Sequence, residues 1–314
     1  MSEANSHPIR RVAVIGAGTI GASWTAWFLS RGLEVVASDP SPGAPDLIRR
    51  MVADAWPILQ KLGAAADADP ARWRFEADPV AAVAGCGFVQ ESAPERLEVK
   101  QPLLRAITAA LPPEVVVASS TSGLLASRLS EGCTHPERVV IGHPFNPPHL
   151  IPLVEVVGGA NASGAAVRTA VEFYRAVGKH PITLNKEVPG HLANRLQAAL
   201  WREAVHMVAE GVASVADVDA AISEGPGLRW ALMGPHTTLH LAGGEGGMPH
   251  FMGHLLPAME GWWKTLGSPE KVAPALQAKL IAGVAEATGG ATTQELARRR
   301  DAALARLLAT RSAG

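Results

Sequence analysis

The sequence predicts an α/β protein in two parts: a doubly wound sheet over residues 1–186, then an all-α half over 187–314. Three observations carry this expectation. At 314 residues the chain is long for one globular domain and ample for two. Short β-branched runs alternate with amphipathic helical stretches as far as about residue 185, as strand–helix winding requires. Beyond Lys186 no strand signal survives.

Taken in order, Arg11-Val-Ala-Val-Ile15 reads as a strand, Ile20 to Arg31 as a helix and Leu33-Glu-Val-Val-Ala-Ser38 as the next strand. Further strands are expected at Phe88-Val89, Val115 to Ala118, Arg138 to Ile141, Pro152 to Val157 and Pro181 to Leu184. Helical patterns fall between them, as at Gln101 to Ala110 and Ala165 to Val177. The strands are apolar almost without interruption, so both faces of the sheet should be covered. From Gly190 to Gly211 the pattern is one long helix, with Leu192, Leu196, Leu200 and Met207 on a stripe. Later helices break at Gly225-Pro-Gly227, Gly234-Pro235 and Gly243-Gly244.

Hydrophobic residues make up 47% of the chain and charged ones 18%, enough for a sizeable core. The net charge of -1 leaves no basic surface for tracking phosphates, so no nucleic-acid partner is expected. Cys86 and Cys133 form no CxxC pair; they read as buried thiols in a reducing compartment, and no metal site is expected. Met1 to Arg11 is polar and carries no signal-peptide stretch. Val12 to Ser30 is uncharged over 19 residues, but three glycines and four hydroxyl side chains make it a poor membrane span. A soluble, cytoplasmic protein with no membrane partner is the expectation.

Gly16-Ala17-Gly18-Thr19-Ile20-Gly21 is a GxGxxG motif that follows a strand and opens a helix, the context in which it binds a dinucleotide. Gly16 permits the tight turn, Gly18 lets backbone approach a pyrophosphate, and Gly21 lets helix and sheet pack closely. The helix N-terminus adds unpaired N–H groups and a positive dipole end. Asp39 ends the second strand, where an acid accepts hydrogen bonds from a ribose 2′-hydroxyl. Pro40-Ser-Pro-Gly43 offers no arginine for a 2′-phosphate, so NAD is expected rather than NADP. A glycine turn serving packing alone is the alternative; strand, helix and acid together favour the dinucleotide. A flavin would use the same fingerprint, but nothing else supports one.

His143 stands just past a strand in Gly142-His143-Pro-Phe-Asn146, and Glu155 follows twelve residues on. Histidine is the natural base for an alcohol proton, and a carboxylate on its other nitrogen would fix the tautomer. Spacing alone leaves the pair equally readable as a strand-end histidine and an unrelated glutamate. These residues resemble the signature of the L-3-hydroxyacyl-CoA dehydrogenase superfamily, and the likeness runs from about Val12 to about Leu256. The resemblance implies a Rossmann-type NAD-binding domain ahead of a helical substrate and dimerisation domain. It implies His143 and Glu155 as the catalytic pair. Ser122 in Ser119-Ser-Thr-Ser-Gly123 and Asn194 in Val188-Pro-Gly-His-Leu-Ala-Asn194 would then hydrogen-bond the substrate oxygen. It further implies Glu95 and Lys100 as cofactor contacts, which by themselves would read as a solvated helix pair. Two departures fall near the substrate: His191 stands where the family usually has phenylalanine, and Gly123 where acyl-CoA members commonly have a second serine.

Within the superfamily, Gly227-Leu-Arg-Trp230 before Met233-Gly-Pro235 is a block that short acyl-CoA members lack, while Ala242-Gly-Gly244 with Gly247 to Met252, Ala55-Trp-Pro57 and Glu91 to Arg96 most resemble the carnitine 3-dehydrogenase branch. The run from Gly142 to Pro148 is shared with the λ-crystallin, or L-gulonate 3-dehydrogenase, branch. The resemblance therefore implies NAD-dependent oxidation of a small L-3-hydroxy acid to a 3-oxo acid, most closely an L-carnitine-type substrate, by a homodimer. A short-chain acyl-CoA substrate or L-gulonate is the alternative. A non-enzymatic, crystallin-like role would not need Ser122, His143, Glu155 and Asn194 together. The chain has eight Trp and one Tyr, and Trp201 and Trp230 are candidates for a cage around a quaternary ammonium. Read plainly, they are core or interface aromatics. Arg229 could pair with a substrate carboxylate or cap a helix end. Arg49, Arg50 and Lys61 could serve a CoA phosphate, or form a solvated helix face.

Overall fold

The computed structural model describes residues 9–269 and 271–312. The chain opens β1 (Arg11–Ile15), α1 (Thr19–Ser30), β2 (Glu34–Ser38), α2 (Ala44–Lys61), β3 (Trp73–Phe75), α3 (Pro79–Ala82), β4 (Phe88–Glu91) and α4 (Leu97–Ala110). It continues through β5 (Val116–Ser119), α5 (Ala126–Leu129), β6 (Val139–Pro144), β7 (Leu153–Gly158), α6 (Gly164–Ala176) and β8 (His180–Leu184). Helices follow: α7 (Ala193–Ala209), α8 (Val215–Ser223), α9 (Pro226–Trp230), α10 (Pro235–Ala242), α11 (Gly247–His254), α12 (Leu256–Trp263), α13 (Pro274–Ala287) and α14 (Thr293–Ser312).

The eight strands form one sheet in the order β3-β2-β1-β4-β5-β6-β7-β8. All neighbours are parallel except β6 and β7, which run antiparallel. The expected doubly wound sheet is therefore present, with one reversal that strand patterns do not encode. Successive residues of a strand face opposite sides. Along β1, Val12 and Val14 accordingly enter one core, Ala13 and Ile15 the other. The first core packs α1, α2 and α6 on the sheet, with Trp24 stacked on Phe28 and Phe88 on Phe173. The second packs Leu104 and Ile107 of α4 with Leu129 of α5.

The uncharged run from Val12 to Ser30 is β1, the glycine turn and α1, whose residues from Gly21 to Ser30 are all buried. Among the described residues no helix is long and apolar enough to cross a membrane. Arg138, expected to begin a strand, instead ends a 3₁₀ turn over Pro136–Arg138, its buried guanidinium donating to the carbonyls of Thr108, Leu111 and Pro112. The helix expected from Gly190 begins at Ala193, because Gly190 and His191 both adopt positive φ (77° and 52°).

Two compact units make up the chain. One runs up to Asn194 and includes Asp301–Ala309; the other comprises Arg195–Arg300 and the chain from Thr310. Within the second unit, Trp201, Val205 and Val208 of α7, Val215 and Val218 of α8, and Ile281 of α13 line an open apolar groove of about 360 Å³.

Candidate active site

The glycine turn is built as a cradle for a phosphate. Gly16, at φ 92°, packs so tightly that a Cβ would lie 2.5 Å from the backbone of Ser92 and Ala93. A Cβ on Gly21 would lie 1.8 Å from the Gly16 carbonyl oxygen, so helix and turn close on each other. Gly18 differs: a Cβ there meets nothing within 4 Å, which leaves the backbone facing open space. No side chain caps α1 and no acid lies in its first turn, so its N–H groups and positive dipole end remain available to an anion. Asp39 closes the turn, accepting from Ala17 N through Oδ2 (2.8 Å) and from Ser41 N through Oδ1 (2.8 Å). Each carboxylate oxygen keeps further acceptor capacity for a ribose hydroxyl. Open space over Gly18, an uncapped helix and a half-buried acid together fit NAD.

Alongside this turn lies the loop after β4. Glu91, fully buried at the end of β4, accepts from Lys100 Nζ (2.8 Å), Ala93 N (2.6 Å) and Ser119 Oγ (2.5 Å). Lys100 is itself 1% exposed and also donates to the Ala93 carbonyl (2.9 Å), with Glu95 Oε2 at 3.8 Å. The solvated helix pair that Glu95 and Lys100 suggest by themselves is thus replaced by a buried lysine held between two carboxylates. Glu95 Oε1 accepts from Thr121 Oγ1 (2.6 Å), Ser122 N (2.8 Å), Gly123 N (3.0 Å) and Ser122 Oγ (3.1 Å), and so shapes the turn that carries Ser122. Burial would raise the Glu95 carboxyl; the Thr121 hydroxyl, Lys100 and the two N–H groups outweigh it and hold it below the ordinary value.

The antiparallel pairing of β6 and β7 sets His143 directly opposite Glu155. Directly paired residues present their side chains on the same face of the sheet. Here His143 Nδ1–H donates to Glu155 Oε2 at 2.8 Å, with Glu155 fully buried and His143 nearly so. The other oxygen, Oε1, accepts from Leu192 N (2.9 Å) and Ala193 N (2.8 Å) at the head of α7. Burial alone would raise the Glu155 carboxyl, but the His143 bond and these two amides prevail and hold it below its ordinary value, ionised. Among the described residues His143 Nε2 has no hydrogen-bond partner. Asn194 Nδ2 donates to the Ser122 carbonyl (3.0 Å), and His191 Nε2 to that of Thr121 (3.0 Å). The arrangement can take a proton at Nε2 while Glu155 compensates the resulting imidazolium.

The loop between β6 and β7 is anchored through Pro148, His149 and Ile151. Ser23 Oγ of α1 bonds His149 Nδ1 (2.8 Å) and accepts from His149 N (3.0 Å). Lys179 Nζ donates to the carbonyls of Pro148 and Ile151 (3.1 Å) and lies 3.7 Å over the Trp27 ring. Below β6, Tyr174 OH donates to Gln90 Oε1 (2.5 Å), and Gln90 Nε2 to Ser120 Oγ (2.8 Å) and the Gly142 carbonyl (3.2 Å).

Within the first unit His143 pairs with Glu155, and Asn194, Ser122, Glu95 and Lys100 form a second chain of hydrogen bonds and ion pairs; the backbone at 191–194 connects the two. Trp201, Arg229 and Trp230 belong to the second, on α7 and α9, all exposed, and no ring contact joins the two indoles. Sequence reasoning missed Glu91, whose signal, an acid closing an otherwise apolar strand, is faint. It also missed Gln90 and Tyr174, whose pairing spans 84 residues.

A Rossmann-type sheet with an open glycine cradle and a buried His–Glu pair defines a pyridine-nucleotide dehydrogenase. The family model for the 3-hydroxyacyl-CoA dehydrogenase NAD binding domain matches residues 11–188, and that for the 3-hydroxyacyl-CoA dehydrogenase C-terminal domain matches residues 190–278. The chain belongs to the 3-hydroxyacyl-CoA dehydrogenase family and is an NAD-dependent dehydrogenase. It is 51% identical over 300 residues to the L-carnitine dehydrogenase of Streptomyces coelicolor, covering 96% of this chain and 94% of that one. To the L-carnitine dehydrogenase of Pseudomonas aeruginosa it is 48% identical, covering 96% and 93%. Among solved structures it resembles 5-formyl-3-hydroxy-2-methylpyridine 4-carboxylic acid 5-dehydrogenase, an NAD+-dependent dismutase (TM-score 0.82, 31% identity, 96% and 97% covered). It also resembles (S)-3-hydroxybutyryl-CoA dehydrogenase from Ralstonia eutropha (TM-score 0.63, 27% identity, 78% and 85% covered).

Proposed function

We propose that the protein oxidises the 3-hydroxyl of L-carnitine, or a closely related small L-3-hydroxy acid, to the 3-oxo acid. The observation that carries the reaction type is the cross-strand pair, Glu155 on Nδ1 of His143, with Nε2 unpartnered among the described residues. The choice of substrate is supported by the L-carnitine dehydrogenases that cover nearly the whole chain at about half identity. L-Carnitine and an L-3-hydroxyacyl group present the same spatial arrangement at C3, so one hand of site serves either.

In this reading Gly16, Ala17, Gly18, Thr19, Ile20 and Gly21 hold the pyrophosphate of NAD, and Asp39 its ribose hydroxyls. Glu95 borders the cofactor, and Lys100, engaged with Glu91 and Ala93, acts by holding that loop in place. NAD, when bound, supplies the acceptor for the C3 hydride. His143 takes the hydroxyl proton at Nε2 as the C3–H bond breaks, and Glu155 stabilises the imidazolium through Nδ1–H. Ser122 and Asn194 orient the substrate oxygen. The Ser122 hydroxyl rotates about Cβ–Oγ, so it can donate to that oxygen in place of Glu95. Trp201, Trp230 and Arg229 are the residues of the helical unit we would assign to the trimethylammonium and carboxylate ends.

We also read the chain as a cytoplasmic homodimer. Leu196, Leu200 and Trp201 on α7, and Ile281 and Val284 on α13, are exposed apolar residues of the kind a second copy covers. NAD-dependent turnover of L-carnitine tests the substrate; loss of turnover with retained NADH binding in His143→Ala tests the mechanism.

A further inference from the structure

Four successive residues at the head of α7 grip the site. The His191 ring holds the Thr121 carbonyl, the Leu192 and Ala193 amides hold Glu155, and the Asn194 side chain holds the Ser122 carbonyl. We propose that His191 is a positioning residue, its Nε2–H fixing the Ser122 turn at its working distance from His143. The proposal rests on the roles of Ser122 and His143 given above.

Three observations support it. First, His191 holds φ 52°, a left-handed conformation that a non-glycine residue keeps only where its surroundings enforce it. Second, the ring is 1% exposed, and its Nδ1 is buried without a partner. A bare buried acceptor is unfavourable, and a phenylalanine ring would fill the same space without one. The imidazole therefore serves its one bond: a carbonyl can only accept, so Nε2 carries the hydrogen and donates at 3.0 Å. Third, the ring flanks the His143 ring, centroids 5.2 Å apart at 48°, so it packs beside that histidine as well as holding the serine turn. The titratable groups facing it are His143, Glu155 and Glu95. Burial and His143 together prevail over the Thr121 carbonyl and both carboxylates, keeping the ring neutral. It acts through geometry, not charge.

The test is a double-mutant cycle on whichever 3-hydroxy acid the wild-type enzyme oxidises fastest, with NADH titration as the check on folding. His191→Phe is expected to lower kcat about tenfold and leave NADH affinity within about twofold. His191→Gln, which returns an amide N–H at similar reach, is expected to recover kcat to within about threefold. In a Ser122→Ala background the His191→Phe loss should shrink below about twofold, because the turn it positions no longer carries the hydroxyl. Equal losses in both backgrounds, no loss in the wild-type background, or no recovery with glutamine would each overturn the proposal. Should His191→Phe fail to fold, His191→Asn takes its place: it tolerates the left-handed backbone, and its shorter amide stops short of Thr121. Ser122→Ala alone reports separately. Wild-type kcat there removes Ser122 from the mechanism and this proposal with it, whereas a lowered kcat with additive losses overturns His191 only.

Discussion

His143 has two ring nitrogens, and Glu155 engages only Nδ1, so the proton chemistry proposed here falls to Nε2. His143→Ala should therefore lower kcat by about a thousandfold or more while NADH fluorescence titration shows unchanged affinity. Glu155 gives a second, independent reading. Its carboxyl titrates below its ordinary value in the fold, so the unfolded chain binds that proton more readily. The stability it contributes is present above the unfolded value of about 4.3 and lost as pH falls through the lower folded value. The gap in Tm between wild type and Glu155→Gln should thus narrow as pH falls below about 4. A gap constant to about pH 3 would show that the charge of Glu155 contributes nothing. At this scale the glycine turn and Asp39 form a pattern of fixed spacing, whereas His143, Glu155, Ser122, Asn194, Glu95 and Lys100 came from the family resemblance and not from spacing. Glu91 was not legible: an acid that meets its lysine nine positions on and Ser119 across the next strand leaves no local pattern.

At the scale of elements, the strands of high apolar content were legible and β3 was not. It is three residues long, Trp73–Phe75, with Arg74 exposed, at the edge of the sheet. Pairing direction was also hidden: nothing in Pro152 to Val157 says that β7 reverses against β6, yet that reversal is what brings His143 and Glu155 together. The start of α7 slipped three residues because two consecutive positive-φ residues precede it, one of them a histidine that no turn rule would put there. The glycine turn offers a test in which one substitution touches function and its neighbour touches folding. Gly18→Ala places a methyl in open space at φ -66°, so Tm should be unchanged while NADH affinity falls. Gly21→Ala drives a methyl into the Gly16 carbonyl and should destabilise by about 1–3 kcal/mol or more. Equal effects of the two on Tm would mean the turn is kept for packing alone.

For the molecule as a whole, the order of a wound sheet followed by helices was legible from where strand signals stop. The second unit yields less. Its helices from α8 to α12 are short and Gly/Pro-punctuated, and many large apolar side chains of the unit are exposed, among them Trp201, Trp262, Trp263 and Ile281. Single-chain periodicity cannot tell a face meant for a second copy from one meant for a core. Light scattering after size exclusion should return twice the monomer mass, and a monomer at micromolar concentration would contradict the homodimer.

The most direct test of the proposed function is NAD-dependent oxidation of four substrates by the purified protein: L-carnitine, L-gulonate, free L-3-hydroxybutyrate and its CoA thioester. L-Carnitine is expected to be turned over with the highest kcat/KM. Preference for the thioester, with carnitine inert, would contradict the assignment and move attention to Arg49, Arg50 and Lys61 on α2.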